Sequence, residues 1–311
     1  MALAYLPALQ NGFAWDDNEQ FLSVPLMGAP DGLQRIWTGT ETLQYYPVTF
    51  SIFWLERRLF GTAPFGYHLL NLALHCVNAL LVWSLLGRLG IRGAWLAAAV
   101  FALHPVQVES VAWATELKNV LSGAFYFLTL LLYLRSREKK SGPLYLAALA
   151  SFLAALLSKT STVMLPVVLL ILEAWRAESN ETNPPEAHPG EEIDLLNRCK
   201  RCRVCRGLDL AALLRTAPFF LLSALIAGVT VYYEKIAGAQ GAEWTMGLAQ
   251  RTALAGGALW FYLGKLLWPH PLIFIYPRWS LDSLFSYLPA AAAATAGLLL
   301  WRKRKDWAMA A

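Results

Sequence analysis

The sequence predicts an all-α protein, a polytopic bundle of transmembrane helices, and three observations lead to this prediction. Of its 311 residues, 57% are hydrophobic and only 15% are charged, whereas soluble domains are about 45–50% apolar and about 25% charged. The mean hydropathy is positive, at +0.43, and the apolar residues fall in long runs. Lys and Arg gather at the ends of those runs, as expected when each charge within hydrocarbon costs several kcal/mol.

Eight apolar runs are long enough to be spans or partial spans of a bilayer. They are Tyr67–Leu86, Gly93–Val108, Asn119–Leu134, Leu144–Leu157, Val163–Trp175, Leu213–Tyr232, Thr252–Trp268 and Leu284–Trp301. The run Pro47–Phe60 is shorter, and a run of about 14 residues more often lies in the membrane interface than crosses the bilayer. We therefore expect about eight spans or partial spans and one interfacial helix, in a single membrane-embedded domain over 1–311.

The orientation follows from the basic clusters, because excess Lys and Arg in short loops marks the cytoplasmic side. These clusters are Arg88 with Arg92, RSREKK, NRCKRCRVCR and WRKRK. Segments 11–66, 104–118 and 158–162 then face the extracytoplasmic side, and the polar and basic loop 177–209 is cytoplasmic. The net charge of +5 thus reports topology, and we expect no nucleic-acid partner.

Two regions do not follow the simple pattern. If Leu213–Tyr232 and Thr252–Trp268 both cross, WRKRK falls outside, so we favour a half-helix at Thr252–Trp268 that leads into WPHPLIFIYPRW. MALAYLPALQ is too short to span, and we expect the chain to be incomplete at both ends.

The cysteines do not form a disulfide framework. Cys76 lies in a predicted span, and Cys199, Cys202 and Cys205 lie in the loop assigned to the reducing side. A structural zinc site needs four ligands, so a basic membrane-surface loop is favoured over a metal site there.

Acidic residues at the predicted outer boundary are the first candidates for chemistry. Asp16 and Asp17 form a pair in NGFAWDDNEQF, and Glu109 lies in HPVQVESVAW at the same boundary depth. Carboxylates near low dielectric can serve as a general base, orient a substrate or bind a divalent cation, with Asp17 and Glu109 as the metal ligands. The alternative is an acidic surface loop with aromatic interface anchors.

A polar stripe runs along one predicted span. His68, Asn71, His75 and Asn78 are three, four and three residues apart, which places them on one helical face. In lipid this face must turn toward protein or water. Hydrogen bonding between helices is one interpretation, and the wall of a polar cavity, with His104 added, is the other.

Three cations at the outer boundary are candidates for binding a phosphate. Lys159 interrupts two apolar runs in LLSKTSTVMLP, and Arg57 with Arg58 follows the apolar part of YYPVTFSIFWLERRLF. Snorkelling of a long side chain from a helix end is the alternative for Lys159.

Six strings in order resemble one known group. NGFAWDD, YYPVTF, GYHLLNLALHCVNALL, HPVQVESVAW with ELKNVLSGAFY, SKTSTVMLP and WPHPLIFIYPRW occur in this order in the membrane half of TMTC-type proteins. These transmembrane and tetratricopeptide-repeat proteins have a GT-C glycosyltransferase fold and are remotely related to protein O-mannosyltransferases. The chain departs from the family where Lys159 is followed by Thr160 in place of the common Glu, where a first span is largely missing, and where no tetratricopeptide repeats follow.

The resemblance implies an inverting hexosyltransferase that uses a polyprenyl-phosphate sugar donor. The acceptor would be a hydroxyl of a protein or glycan on the extracytoplasmic face of a bacterial inner membrane or its equivalent. The resemblance also assigns the role of catalytic base to the Asp16/Asp17 pair, with Asp16 favoured. It identifies Glu109 as the acid of the family's second outer acidic motif. Two other classes stay open. A transporter or lipid flippase would need ionisable residues near mid-membrane, where His75 is the candidate, and a non-catalytic scaffold fragment is the third possibility.

Overall fold

The computed structural model describes residues 2–15, 17, 23–39, 41–42, 44–182, 210–236, 246–273, 276–277, 279–281 and 283–308. Every regular element among these residues is a helix, and none is a strand. The all-α prediction is therefore confirmed. The predicted loop 177–209, with Cys199, Cys202 and Cys205, lies mainly outside the described residues, as does Asp16.

Thirteen α-helices follow one another along the described residues, joined in places by 3₁₀ turns. They are α1 (Ala2–Tyr5), α2 (Pro25–Gly28), α3 (Gly32–Thr38), α4 (Pro47–Phe60), α5 (Pro64–Arg88), α6 (Ala94–Leu103), α7 (Val108–Ala112), α8 (Leu117–Lys139), α9 (Gly142–Ser158), α10 (Leu165–Thr182), α11 (Leu210–Ile236), α12 (Leu248–Leu267) and α13 (Leu288–Ala308). The 3₁₀ turns are Leu6–Gln10, Pro105–Gln107, Ala114–Glu116, Thr160–Met164 and Leu284–Tyr287.

Three helical segments in the described residues are long and apolar enough to cross a membrane. They are Pro64–Arg88, Ala114–Lys139 and Leu210–Tyr233. The pair Ala94–Leu103 and Pro105–Ala112, bent by 51°, would make a fourth as one broken span. All eight predicted runs lie largely on helices, but the others are shorter or less apolar. The structure is thus a helical membrane bundle consistent with a GT-C-like fold. About eight full or partial spans were predicted, and three or four helical segments of the described residues are candidates for full-length spans.

The break after α6 follows from Pro105. Proline has no N–H to continue the helix, so α6 ends at Leu103, and His104 takes an extended conformation with φ −63° and ψ 131°. The Nδ1 atom of His104 accepts a hydrogen bond from the backbone N–H of Val106 at 3.2 Å. His104 therefore caps the following 3₁₀ turn, a local role that the sequence interpretation as a cavity residue did not include.

Two compact units divide the chain. The first contains Met1–Ala177 and Pro184–Gly238, and the second contains Glu178–Asn183 and Ala239–Ala311. A single domain over 1–311 therefore stays a prediction.

The first unit has two chemically different ends, which α8 connects. Its 23 residues rise about 34 Å. At one end, which we call the first-loop end, Thr49 donates to the carbonyl of Ser158 at 2.9 Å and Tyr233 donates to the carbonyl of Gly39 at 3.0 Å. The predicted outer segments therefore lie together.

The opposite end of the first unit, the basic end, carries an ion-pair network. Glu173 accepts hydrogen bonds from Tyr133, Arg137 and Arg215, each at 2.9 Å. Glu138 pairs with Arg88 and with Arg176. Of the predicted cytoplasmic clusters, Arg88 and RSREKK contribute to this end of the first unit.

In the second unit, α12 packs closely against α13. The carbon of a side chain at Gly256 would lie 2.4 Å from the backbone of Ala290, and the indole of Trp260 donates to the carbonyl of Pro289 at 2.9 Å. The helix α12 is continuous over 20 residues, longer than the predicted half-helix. It is not among the span candidates.

Candidate active site

Asp17 fastens the first loop to the turn before α8. Its side chain is fully buried, and Oδ2 accepts a hydrogen bond from the backbone N–H of Ala14 at 2.7 Å. Oδ1 accepts from the backbone N–H of Thr115 at 2.8 Å and also from the Thr115 hydroxyl. The carboxylate thus joins two segments 98 residues apart. These contacts give Asp17 an architectural role in the first loop.

Two tryptophans lie beside this contact between the first loop and the turn. The indole of Trp113 donates to the carbonyl of Ala14 at 3.3 Å, and its rings stack on Trp15 at 5.9 Å between centroids with 21° between planes. Trp15 is 65% exposed and has a φ of 40°, which a bulky residue rarely adopts. The loop around Ala14 is therefore held from both sides, next to the position of Asp16 in the sequence.

A second group of polar side chains is bonded around Glu116, the last residue of the same turn. We call Ser110, Glu116, Lys118, Asn119 and Lys159 the Lys159 cluster. The ammonium of Lys159 donates to Oδ1 of Asn119. The amide nitrogen of Asn119 donates to Glu116 and, at 3.0 Å, to the Ser110 hydroxyl. Lys118 pairs with the other oxygen of Glu116 at 2.9 Å.

Lys159 is half-buried, and its surroundings shift its pKa in opposite directions. Burial lowers the pKa of Lys159 because the charged form loses water. The charge of Glu116 raises this pKa, Lys118 lowers it, and Glu109 raises it. A cation at this position therefore depends on neighbouring carboxylates for its charge.

Glu109 lies on α7 and is exposed. It belongs to the electrostatic surroundings of Lys159, so the structure brings together two residues that the sequence predicted separately. Asp17 contacts Thr115 of the same turn instead.

These contacts do not favour the predicted metal site. The described residues contain no group of three His, Cys, Asp or Glu side chains that could hold a metal ion. Both oxygens of Asp17 already accept hydrogen bonds from N–H or O–H groups. Asp17 and Glu109 as metal ligands therefore gain no support from the described part of the chain and stay a prediction.

The two arginines of α4 have different surroundings. Arg58 lies 3.9 Å above the Trp54 ring and donates to the carbonyl of Ala29 at 3.1 Å, so it helps to hold the first loop. Nη1 of Arg57 is buried without a hydrogen-bond partner among the described residues. Of the two predicted phosphate-binding arginines, Arg57 is thus the one with a donor that no described residue uses.

The same helix carries a buried acid that the sequence analysis did not select. Glu56 is 2% exposed, and neither of its oxygens has a hydrogen-bond partner among the described residues. Burial raises the pKa of Glu56 to about 8. A single acid between Leu55 and Arg57 gives no sequence signal that distinguishes a buried position from a solvated one.

The polar stripe of α5 faces protein, as its spacing predicts. His68, Asn71, His75 and Asn78 are all buried. Asn71 donates to the carbonyl of Trp113 at 2.8 Å, and Asn78 donates to that of Val120 at 2.8 Å. A ring nitrogen of His75 lies 3.1 Å from the carbonyl of Ala102. These contacts support hydrogen bonding between helices, and the cavity wall stays a prediction.

Thr115, Glu116, Lys118 and Asn119 were not among the predicted site residues. Their signal is the string TELKN, where four polar residues precede an apolar span. A stripe at helical spacing can be recognised by periodicity. A turn that bonds two distant segments has no period, so these residues gave no comparable pattern.

Comparisons with known proteins agree with the motifs. Residues 46–184 match the dolichyl-phosphate-mannose-protein mannosyltransferase family. A protein O-mannosyl-transferase of Caenorhabditis elegans is 30% identical over 151 residues, which are 44% of this chain and 22% of that protein. Protein O-mannosyl-transferase Tmtc2 of Drosophila melanogaster is 30% identical over 199 residues, 58% of this chain and 21% of that protein.

A third relative, protein O-mannosyl-transferase TMTC3 of Mus musculus, is 29% identical over 151 residues, 44% of this chain and 16% of that protein. The chain spans about a fifth of the length of the first two curated relatives. No solved structure matches it significantly. The matched residues include α4 to α9, with Glu109, the Lys159 cluster and both arginines. The resemblance to TMTC-type proteins, within the wider likeness to the protein O-mannosyltransferases, is therefore confirmed.

Proposed function

We propose that this chain is the catalytic membrane part of a glycosyltransferase. It moves a sugar from a polyprenyl phosphate to a hydroxyl of a protein at the first-loop end, which faces the extracytoplasmic side. The names of the relatives support a glycosyltransferase, and the family description supports a lipid-phosphate donor.

One observation carries the proposal for the site. The turn Ala114–Glu116 bonds Asp17 through Thr115, and three residues later Asn119 bonds Lys159. The acidic first loop and the boundary cation thus contact a single stretch of five residues, 115–119. A prenyl donor is confined to the bilayer, so a site at one end of the bundle is where its phosphate can meet a polar acceptor.

The proposed reaction is a single displacement. Asp16 takes the proton from the acceptor hydroxyl while the oxygen attacks the anomeric carbon. The bond from that carbon to the phosphate oxygen breaks, the configuration inverts, and the polyprenyl phosphate leaves with its electron pair. Lys159 binds an oxygen of the donor phosphate, in the ground state and the transition state alike, with Arg57 as a second candidate. Asp17 keeps the loop in place through its three hydrogen bonds.

The transporter alternative gains no support from the described residues. Its best candidate, His75, lies against the carbonyl of Ala102, which is the contact expected of a side chain that bonds two helices. A catalytic site is therefore the better-supported function.

The test is transfer of a labelled sugar from a polyprenyl phosphate to peptide acceptors, in membranes that carry the full-length gene. Asp16→Asn removes the proton acceptor but keeps the shape, so the rate should fall by about 10²–10⁴-fold. Lys159→Ala should raise the KM for the donor, because the lost contact is present in ground state and transition state alike.

Asp31→Asn is the matched control, since it makes the same change in the first loop at an exposed carboxylate that pairs with Arg35 at 3.6 Å. It should leave the rate unchanged. Undiminished transfer by both Asp16→Asn and Asp17→Asn would contradict the catalytic assignment. A transporter or scaffold role would then be favoured over catalysis.

A further inference from the structure

We propose that Asn119 and Glu116 are positioning residues for Lys159, which they hold as a charged, directed donor to the phosphate of the lipid-linked sugar. This inference rests on the proposed function and assigns two residues that the predicted site did not contain. It concerns how the cation is oriented and how its charge is kept.

The hydrogen bonds of Asn119 fix the direction of its amide. A carboxamide has two N–H donors and one oxygen acceptor. The nitrogen donates to Glu116 and to the hydroxyl of Ser110, so both donors are used. The oxygen is then left to face Lys159, from which it accepts a hydrogen bond. Rotating the amide by half a turn would break all three bonds, which makes Asn119 a directional support.

An amide between Lys159 and Glu116 differs from a direct ion pair. In a direct pair, the carboxylate would neutralise the charge of the ammonium and use its N–H donors. Here Glu116 pairs with Lys118 at 2.9 Å and bonds Asn119 through its other oxygen. An ammonium has three N–H donors, and in the described part of the chain Lys159 uses one of them, toward Asn119. The remaining donors are available to a phosphate oxygen.

The charge of Lys159 depends on the same neighbours. The groups that face it are Glu116 and Glu109, which favour the ammonium, and Lys118, which disfavours it along with burial. Removing the charge of Glu116 would leave two lysines near one another with only Glu109 to compensate. The fraction of Lys159 that is protonated should then fall at a lower pH than in the wild type.

The experiment compares Glu116→Gln, Glu116→Asp and Asn119→Leu in membranes that carry the full-length gene. Two quantities are measured against pH: the KM for the polyprenyl-phosphate sugar, and the labelling of Lys159 by an acylating reagent, which attacks the neutral amine. Glu138→Gln is the matched control, because it makes the same change at the basic end of α8, where the acid pairs with Arg88 and Arg176.

For Glu116→Gln we expect Lys159 to become labelled at lower pH, and the rise in KM to begin at the same lower pH. Each unit by which the midpoint falls corresponds to up to about a tenfold higher KM on the alkaline side, with kcat little changed. Glu116→Asp keeps the charge, so the midpoint of the labelling curve should return most of the way to its wild-type pH. Asn119→Leu should raise the KM at every pH, because the direction of the ammonium is lost. Glu138→Gln should match the wild type in both measurements.

Unchanged midpoints in Glu116→Gln, or a loss confined to kcat and not restored by Glu116→Asp, would overturn the proposal and leave Glu116 and Asn119 as structural residues. If Asn119→Leu does not insert, the Glu116 pair decides the question. Failure of the proposed function gives a different result: wild-type membranes show no transfer, or Lys159→Ala transfers normally, whereas the labelling curves still report on the positioning of Lys159.

Discussion

Replacing Glu56 with Gln should stabilise the docking of α4 at neutral and alkaline pH. The acid is 2% exposed and its oxygens have no hydrogen-bond partner among the described residues, so the neutral form is favoured and the pKa rises to about 8. A carboxyl with a raised pKa contributes its full stability below its unfolded value, near 4.5, and loses it as the pH rises toward 8. Gln keeps the shape without a titratable charge.

The size of the effect follows from the two pKa values. Between 4.5 and about 8, the docked state loses about 1.4 kcal/mol per pH unit, or about 5 kcal/mol in all. At pH 7 the loss is about 3 kcal/mol, which is an upper bound because local opening lets water reach the carboxylate before the helix separates. A change of this size is a large part of the stability of a single docked helix.

The assay is hydrogen exchange of residues 47–60 in membranes or detergent, corrected for the intrinsic dependence of exchange on pH. Wild-type protection should decrease steadily from pH 5 to pH 8, whereas Glu56→Gln should be nearly constant and more protected at pH 8. Glu41→Gln, at an exposed acid that pairs with Arg35, is the control and should keep the wild-type slope. A wild-type slope that persists in Glu56→Gln would refute the reasoning, because the titrating group would then lie elsewhere.

Two further predictions concern the ends of the bundle. Asp17→Asn and Thr115→Val should each destabilise the first loop by about 1–3 kcal/mol, because each leaves a buried polar group without its partner. The double variant should lose less than the sum, as residues in one network do, and additive losses in limited proteolysis of the loop would contradict the contact. At the basic end, Glu173→Gln should lower the melting temperature, because it weakens the bonds from Arg137 and Arg215, and should leave the KM for the donor unchanged. A raised KM would mean that the two ends are coupled.

The helices could be predicted from the sequence because their signals are local. Apolar runs of spanning length define α5 and α8. The stripe from His68 to Asn78 was predictable because helical periodicity and the exclusion of polar groups from lipid act on the same few residues. The structure contains both helices, and it buries the four side chains of the stripe.

The candidate site could be predicted only in part, because its contacts are between distant segments. Asp17 was selected as a catalytic acid by its neighbours in the chain, but its bonds to Thr115 span 98 residues, and no periodicity reveals such a partner. Lys159 was selected as a boundary cation from the apolar runs on either side of it, whereas the contact of Asn119, 40 residues away, arises only through packing. The burial of Glu56 likewise depends on which face of α4 packs against the core.

The shortness of α6 has a consequence for the helix beside it. Its ten residues rise about 15 Å, half of the roughly 30 Å of hydrocarbon in a bilayer. The segment Pro105–Ala112, bent from α6 by 51°, continues the chain past the break. Carbonyl groups at such a break lose their helical donors and need partners within the protein, and His75 meets one of them at the carbonyl of Ala102. The stripe of α5 therefore also provides a polar partner to the broken end of its neighbouring helix.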